Sequence, residues 1–211
     1  MTEPAPQAKG RGRPPKERRN KLFTRETLLH AGMEVVTEKG FSAVGVDEIL
    51  QRTGISRCSF YYYFKSKEGF GAELIDLYRD GILQELENCL ADESLPPLNR
   101  LRAFVGQRRR AIMESGYRCG CLMGKLAQEV NTLPEPFRQR IVVTFDVWQQ
   151  AFARGLRLAQ EAGEVAPTRD CQEEAAVFWY GWEGAIQRAN LERTARPLDL
   201  FTDRFFSRLT G

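Results

Sequence analysis

Two short helical segments joined by a glycine constrain the fold of this chain more than any other feature of its sequence. The first segment, residues 46–53, places Ile49 on an inward face. Gly54 then allows a tight turn, because glycine adopts left-handed backbone angles at no steric cost. Ser56 is expected to cap the second segment, which ends near Phe64. Short helices arranged about a glycine turn form the pattern of a helix-turn-helix.

The rest of the chain also favours helices. Apolar residues recur at helical spacing, and no strand alternation or Asn-Gly hairpin signal stands out. We expect a first helix from an N-cap at Thr24 to Lys39, ended by Gly40. Further helices are expected near residues 66–90, 97–115, 121–130, 134–162, 170–193 and 198–209. The sequence therefore predicts an all-α fold, with short helices first and longer helices after them.

The N-terminal segment carries most of the positive charge. The net formal charge is +3 over 211 residues, yet residues 1–21 alone hold seven Lys or Arg against two Glu. Residues 1–20 are rich in proline and glycine and lack apolar periodicity, so we expect a disordered basic arm there. Arg11 and Arg13 stand in a run that resembles an AT-hook core, whose arginines enter narrow minor grooves. The alternative is a nonspecific basic tail, and either would add salt-dependent affinity for DNA.

Several function classes are disfavoured by what the sequence lacks. No apolar run approaches the ~18 residues of a membrane span, and the start holds no apolar signal region, so we expect a cytoplasmic protein with no membrane contact. Five cysteines suggest reduced thiols, and a single histidine, His30, argues against histidine triads and multi-histidine metal sites. Phosphate-binding loops and metal-ligand clusters are also missing from the sequence. We therefore expect no cofactor, no metal and no enzymatic activity.

The second short helix carries residues suited to reading DNA. In a helix-turn-helix this helix lies in the major groove, and its early residues reach base edges. Arg57 can pair with guanine through two hydrogen bonds, and the tyrosine hydroxyls at 61–63 suit contacts with phosphate. Phe60 and Phe64 fall on the opposite face, where we expect them to be buried.

A longer run of residues extends this motif on both sides. It comprises Gly40-Phe41, Val46-Asp47-Glu48-Ile49, Thr53-Gly54-Ile55-Ser56, Ser59-Phe60-Tyr61, Tyr63-Phe64 and Ser66-Lys67-Glu68. Over about residues 22–75 the chain resembles the DNA-binding domain of the TetR family of bacterial repressors. By motif position, the residues that face DNA would be Arg57, Cys58, Ser59, Tyr61, Tyr62 and Tyr63, with Lys67 binding a phosphate.

The same resemblance implies a domain organisation and a set of partners. It implies an N-terminal three-helix helix-turn-helix domain over residues 21–68 and a C-terminal helical domain over residues 69–211 that binds a ligand and forms a homodimer. The expected partners are a palindromic double-stranded DNA operator and a small-molecule inducer that releases the protein from it. An architectural DNA-binding protein without a ligand and a cysteine-dependent enzyme remain as alternatives.

A second conspicuous stretch, residues 118–129, lies in the C-terminal segment. Together with residues 178–185 it resembles the branch of the TetR family that includes NemR and AcuR, repressors that respond to electrophiles or unsaturated small acids. The resemblance implies that Cys121 takes part in sensing. It is incomplete at Asn190, where relatives in this branch can carry a lysine.

The surroundings of Cys121 in the sequence suggest an activated thiol. Cys121 begins a predicted helix, with Lys125 one turn on and Arg118 close by. Each of these favours the thiolate, which is the reactive form. Two alternatives stay open. Cys121 could be a small buried hydrophobe, or Cys119 could pair with it as a resolving thiol.

Aromatic residues of the later helices suggest a ligand cavity with few polar groups. The expected lining residues are Tyr117, Gln128, Trp148, Phe152, Trp179, Trp182 and Glu183. The alternative for each of them is ordinary core packing. A stripe of small residues on the same helix, with apolar residues of the last helix, predicts a four-helix dimer interface from Gly181, Gly184, Ala185, Ala189, Phe201, Phe205 and Leu209.

Overall fold

The computed structural model describes the backbone of residues 16–210 and the side chains of residues 23–210. Within that range the chain forms nine α-helices and no strands, which confirms the all-α prediction. The helices are α1 (Lys16–Lys39), α2 (Val46–Thr53), α3 (Arg57–Phe64), α4 (Lys67–Leu90), α5 (Pro97–Glu114), α6 (Leu122–Gln128), α7 (Glu135–Glu161), α8 (Cys171–Glu192) and α9 (Arg196–Leu209).

The start of α1 differs from the sequence prediction. The helix begins at Lys16, so Thr24 lies inside it and the prediction of Thr24 as an N-cap is wrong. Residues 16–20 are helical, whereas the sequence predicts that they belong to the disordered arm. The physical reason is their composition, because Lys, Glu and Arg are good helix formers. The predicted minor-groove residues Arg11 and Arg13 lie outside the described residues.

The helix-turn-helix forms as the sequence predicts. Gly54 has φ +67° and ends α2 in the left-handed region, where glycine is favoured. The backbone N–H of Ser59 donates to Oγ of Ser56 at 3.2 Å, which caps α3. Phe60 and Phe64 are buried as expected, and both rings pack against the ring of Phe70. The buried side of α3 is thereby fixed, which leaves its other side to solvent.

One long helix joins the two parts of the molecule. The first turns of α4 pack into the N-terminal domain, where a Cβ on Gly32 would overlap the Phe70 ring. Further along, α4 packs against α5 and α7 in the C-terminal domain. A Cβ on Gly71 would lie 2.5 Å from both Phe41 and Phe137, so glycine permits close approach at the boundary between the domains. A shift of α4 would therefore reach both domains.

The predicted dimer interface is wrong for most of its residues. A Cβ on Gly181 would overlap the Phe201 ring of the same chain, so this glycine lets α9 approach α8. Four more of the predicted residues are buried within the chain: Ala185, Ala189, Phe205 and Leu209. Most of the small-residue stripe therefore serves packing inside one chain. Gly184 is exposed, with nothing within 4 Å of a Cβ built on it, and a dimer formed through α8 and α9 stays a prediction. The exposed apolar side chains of α8 and α9 lie elsewhere, at Val177, Tyr180, Leu191 and Leu200.

Candidate DNA-binding and effector sites

The recognition helix α3 presents most of its predicted DNA-facing residues to solvent. Arg57, Cys58, Tyr61 and Tyr62 are exposed, whereas Ser59 and Tyr63 are half-buried. The guanidinium of Arg57 pairs with the carboxylate of Asp47 on α2, and this hydrogen bond raises the pKa of Arg57. Asp47 thus orients the arginine at the start of the helix while it stays accessible to a base.

Lys67 occupies a more enclosed position than the sequence suggests. Its Nζ donates to the carbonyl of Phe41 at 2.8 Å and lies 4.5 Å from the centroid of the Phe41 ring. Burial lowers the pKa of Lys67. The ammonium therefore holds the connection between α1 and α2, and a contact with phosphate remains a prediction.

Glu129, just past α6, holds the same connection from the other domain. Its carboxylate accepts hydrogen bonds from the backbone N–H of Phe41 at 3.1 Å and of Ser42 at 2.8 Å. A Cβ on Gly40, which has φ +91°, would overlap this carboxylate. Hydrogen bonds to a charged group are stronger than neutral ones. The C-terminal end of α6 is thus attached to the DNA-binding domain.

The N-terminal end of α6 lies at two connected spaces. The inner cavity is very small, with about 10 Å³ of free space. Its lining consists of Tyr78, Ile82, Arg108, Ile112, Trp148, Trp179 and Trp182. The outer cleft, between α6 and α8, has a volume of about 500 Å³ and is lined by Thr37, Arg118, Gly124, Lys125, Gln128, Gly184, Gln187, Arg188, Asn190 and Leu191. Four residues line both spaces and form their junction: Gly120, Cys121, Glu183 and Ile186.

The structure overturns the prediction of an activated thiolate at Cys121. The residue does cap the start of α6, but only 9% of its surface is exposed. Burial raises the pKa of the thiol well above its ordinary value, and the negative charge of Glu183 raises it further. Backbone N–H groups of Met123 and Gly124 act in the opposite direction without outweighing burial. Cys121 is therefore a neutral thiol at pH 7.

Glu183 stands beside this thiol with an unsatisfied oxygen. Its Oε1 is buried and has no hydrogen-bond partner among the described residues. Burial raises the pKa of Glu183 to about 7, although the hydrogen bond with Cys121 and the charge of Arg108 lower it. Trp179 Nε1 and Asn190 Oδ1 are also buried without partners in the described part of the chain. Buried polar atoms without partners are costly, so they mark places for water or a ligand.

The sequence did not single out two polar residues of the inner cavity. Arg108 donates from Nη1 to the Glu85 carboxylate at 3.0 Å, and its guanidinium lines the cavity. Tyr78 lines the cavity too, and burial raises its pKa well above the ordinary value. Arg108 stands in a run of three arginines, a pattern that predicts a solvent-exposed part of the helix. Only the packing of α5 against α4 shows that one of the three turns inward.

The predicted cavity residues divide into two groups. Cys121, Trp179, Trp182 and Glu183 come together, and Trp148 joins them with its Nε1 bonded to the Arg79 carbonyl at 3.0 Å. The remaining predicted residues do not line the inner cavity. Gln128 is exposed at the outer cleft, Tyr117 lies in the turn after α5 with φ +58°, and Phe152 stacks on Phe178 with ring centroids 4.1 Å apart.

The described residues were compared with two further kinds of site, a metal-ligand cluster and a membrane-spanning helix. No group of three or more His, Cys, Asp or Glu side chains in that part of the chain could hold a metal ion. Likewise, none of the helices described is both long and apolar enough to span a membrane. All five cysteines are described, and all are free thiols.

Comparisons with known proteins agree with this geometry. Residues 28–74 match the family described as bacterial regulatory proteins, tetR family, and residues 97–205 match the tetracyclin repressor-like C-terminal domain. The transcriptional regulator AcuR of Cereibacter sphaeroides is 42% identical over 200 residues, which cover 95% of this chain and 91% of AcuR. The transcriptional repressor NemR of Escherichia coli K12 is 29% identical over 184 residues, covering 83% and 88% of the two chains.

A solved structure shows the same arrangement of helices. The crystal structure of regulatory protein TetR from Rhodobacter sphaeroides superposes with a TM-score of 0.83 at 42% identity, covering 86% of this chain and 96% of that one. The family matches fall in both domains, and they include the helix-turn-helix and every residue that lines the inner cavity except Tyr78 and Ile82 of α4. This chain belongs to the TetR family of bacterial regulatory proteins, as a transcriptional regulator of the group that includes AcuR and NemR.

Proposed function

We propose that this protein represses transcription as a homodimer bound to a near-palindromic operator, and that a small molecule releases it. The observation that carries the proposal is the position of α6. It begins at the junction of the two spaces and ends next to Glu129, which holds the DNA-binding domain. One short helix thus connects a site with unpartnered polar groups to the domain that carries the recognition helix.

Binding of DNA follows from the exposed side of α3. Arg57 exchanges its pair with Asp47 for a guanine, and the tyrosine hydroxyls at positions 61–63 bind phosphates. Cys58 and Ser59 face the same groove, and Lys67 adds a phosphate contact. Each chain supplies one recognition helix. A dimer places two of them about 34–36 Å apart, in successive major grooves of one face of the DNA.

Release follows if the ligand changes the position of α6. A ligand larger than the free space of the inner cavity must displace its walls, including the Gly120–Cys121 segment. The displaced α6 would carry Glu129 and the α1–α2 connection with it. The distance between the two recognition helices would then no longer fit the operator. The ligand and the DNA thus bind two different conformations of the protein, and each shifts the equilibrium toward the conformation that it binds.

The chemistry of the site favours a small ligand with one polar end. Aromatic and aliphatic side chains form most of the inner wall, whereas Arg108 and Trp179 Nε1 supply hydrogen-bond donors. Such a lining suits a carboxylate or carbonyl on a short apolar chain, in agreement with the unsaturated acids and electrophiles that the resemblance suggests. The protein would act in the cytoplasm, where the operator is, and it would bind its effector without turning it over.

Protection mapping, light scattering and a screen of small molecules test this proposal. Protection mapping on the DNA that flanks the protein's own gene should show a protected near-palindrome, and light scattering should show a dimer at micromolar concentration. Small unsaturated acids and aldehydes are then screened for a thermal shift and for loss of the footprint. Two outcomes would contradict the proposal. One is a monomer that binds DNA tightly. The other is a screen in which no compound stabilises the protein and none removes the footprint.

A further inference from the structure

The junction between the outer cleft and the inner cavity brings a thiol and a carboxylate together. Cys121 and Glu183 both line the two spaces. A Cβ on Gly124 would overlap Oε2 of Glu183 and would lie 3.8 Å from Cβ of Cys121. Glycine at this position therefore leaves the space in which the two side chains meet. A molecule that enters from the cleft reaches this pair before it reaches the aromatic walls.

The charged and titratable groups around Glu183 come from several elements of the fold. Arg108 of α5 and Tyr78 of α4 line the inner cavity, whereas Lys125 of α6, Arg118 in the segment before α6 and Arg188 of α8 line the outer cleft. Arg108 is already paired with Glu85. Glu183 is the carboxylate whose charge acts on the Cys121 thiol, and its Oε1 has no hydrogen-bond partner among the described residues.

We propose that Glu183 is the general base that accepts the proton of Cys121 when the thiol adds to an alkene conjugated with a carbonyl group. This inference rests on the proposed function, because it concerns the effector site of the same regulator. In this proposal, proton removal by Glu183 takes the place of the activation of the Cys121 thiol by Arg118 and Lys125 that the sequence predicts. A neutral buried thiol becomes a nucleophile only while an adjacent base removes its proton.

The reaction is balanced without any further reagent. The S–H bond breaks, and its proton moves to Glu183. The sulfur electron pair forms a bond to the β-carbon of the alkene, and the π electron pair moves toward the carbonyl oxygen. Glu183 then returns the proton to the α-carbon. The net change is addition of the thiol across the double bond, with no oxidant or reductant.

The inner cavity holds hydrogen-bond donors that can stabilise the negative charge that develops during the addition. Negative charge gathers on the carbonyl oxygen during the addition, and hydrogen-bond donors aimed at that oxygen stabilise it. Trp179 Nε1 is a buried donor without a partner among the described residues, and the Arg108 guanidinium lines the same cavity. With its β-carbon at Cys121, the electrophile would place its carbonyl group toward these donors. The two buried groups without partners would then act on different atoms of the reaction. Glu183 would accept the thiol proton, and Trp179 would donate to the carbonyl oxygen.

The test follows alkylation of Cys121 in the full-length protein. N-ethylmaleimide, a neutral electrophile, is added between pH 5.5 and 9, and the rate of adduct formation at each cysteine is measured by peptide mass mapping. For the unaltered protein we expect a rise in the Cys121 rate as Glu183 ionises near pH 7. Glu183→Gln should lower the rate at pH 7.5 by about 100-fold and remove that rise. Glu183→Asp should restore part of both.

Two controls separate a chemical role from a structural one. Cys58 is exposed on α3, so its alkylation rate in Glu183→Gln should equal that of the unaltered protein. Glu173→Gln changes an exposed carboxylate on the same helix and should leave the Cys121 rate and its pH profile unchanged. Should Glu183→Gln fail to fold, the pH profiles of the unaltered protein and Glu183→Asp still carry the test.

The outcomes separate this inference from the proposed function. An equal Cys121 rate and pH profile with and without Glu183 would overturn the role of the base, as would an unaltered protein in which Cys121 is never alkylated. DNA binding is measured separately by fluorescence anisotropy, with the operator bound to the unaltered protein before the electrophile is added, and peptide mapping of the same samples shows whether Cys58 has reacted. If alkylation of Cys121 depends on Glu183 but the protein stays on the operator, the role of Glu183 as the base is supported. Release of DNA by covalent modification is then contradicted.

Discussion

The carboxylate of Glu129 and the backbone N–H of Ser42 are 2.8 Å apart and join the end of α6 to the DNA-binding domain. On the other side of the same connection, Lys67 holds the carbonyl of Phe41. The ring of Phe41 also packs edge-on against Phe137 at 5.0 Å between centroids. The α1–α2 connection is thus held by side chains of α4, α7 and the segment after α6. Small movements of these elements would reorient the recognition helix.

Glu129→Ala is predicted to loosen this attachment. Two backbone N–H groups would lose a charged acceptor, which should lower the free energy of unfolding by about 1–3 kcal/mol. Urea unfolding measures the loss, and hydrogen exchange should show faster exchange at the amides of Phe41 and Ser42. Glu135→Ala is the control, because its pair with Arg138 is exposed and surface pairs contribute little. Equal effects of the two changes would contradict a specific role for Glu129.

Arg57→Ala is predicted to weaken operator binding and relax base preference. A guanine contact through two hydrogen bonds is worth about 1–3 kcal/mol of discrimination, and its loss should affect operator DNA more than random DNA. Arg57→Lys keeps the charge but not the paired geometry, so it should lose preference and keep most nonspecific affinity. Anisotropy titrations on operator and random duplexes measure both. A uniform loss on the two duplexes would show that Arg57 binds phosphate instead.

Lys67→Ala is predicted to weaken binding to all DNA sequences alike. Removing one phosphate contact should reduce the slope of log affinity against log salt by about 1. The change also deprives the Phe41 carbonyl of its donor, so urea unfolding is measured in parallel. Lost stability with an unchanged salt slope would assign Lys67 to the domain boundary and not to DNA.

Glu183 is predicted to make stability depend on pH. Burial raises its pKa from 4.5 to about 7, so the folded protein binds this proton more tightly than the unfolded chain does. The contribution is fully present below pH 4.5 and is lost as pH rises through 7. At about 1.4 kcal/mol per pKa unit, the change is on the order of 3 kcal/mol.

Glu183→Gln should remove this dependence, because the amide stays neutral at every pH. Its free energy of unfolding at pH 8 should exceed that of the unaltered protein, whereas the two should agree more closely at pH 5. Urea midpoints at both pH values provide the measurement, with Glu173→Gln as the exposed control on α8. A variant that is less stable at pH 8 than the unaltered protein would refute the prediction.

Deleting residues 1–15 is predicted to lower DNA affinity mainly at low salt. The segment holds Lys9, Arg11 and Arg13 against a single Glu3, and cations bind DNA by releasing counterions from phosphates. Affinity measured between about 50 and 200 mM salt should therefore show a shallower dependence after the deletion. Replacing Arg11 and Arg13 by lysine is the matched control, since lysine keeps the charge. Loss of preference for A·T-rich DNA in that control would favour a minor-groove hook over a basic tail.

Local features of the fold could be predicted from the sequence. The bounds of α2 and α3 follow from Gly54 and Ser56, and the burial of Phe60 and Phe64 follows from helical spacing. Turn chemistry, capping and periodicity act between residues close in the chain, so the sequence displays them directly. The same reasoning predicts the start of α1 wrongly at Thr24. The residues before Thr24 favour a helix, so the helix continues through a residue type that also suits an N-cap.

The sequence by itself determined the all-α fold and the helix-turn-helix, and it predicts the residues that face DNA. Only the tertiary structure decided the chemistry of the effector site. Cys121 is neutral because burial raises the pKa of its thiol, and the charge of Glu183, distant in sequence, raises that pKa further. Arg108 lines the inner cavity because α5 packs against α4. Gly181 likewise faces Phe201 of its own chain. Burial and neighbouring charge set these properties, and both depend on which distant segments meet when the chain folds.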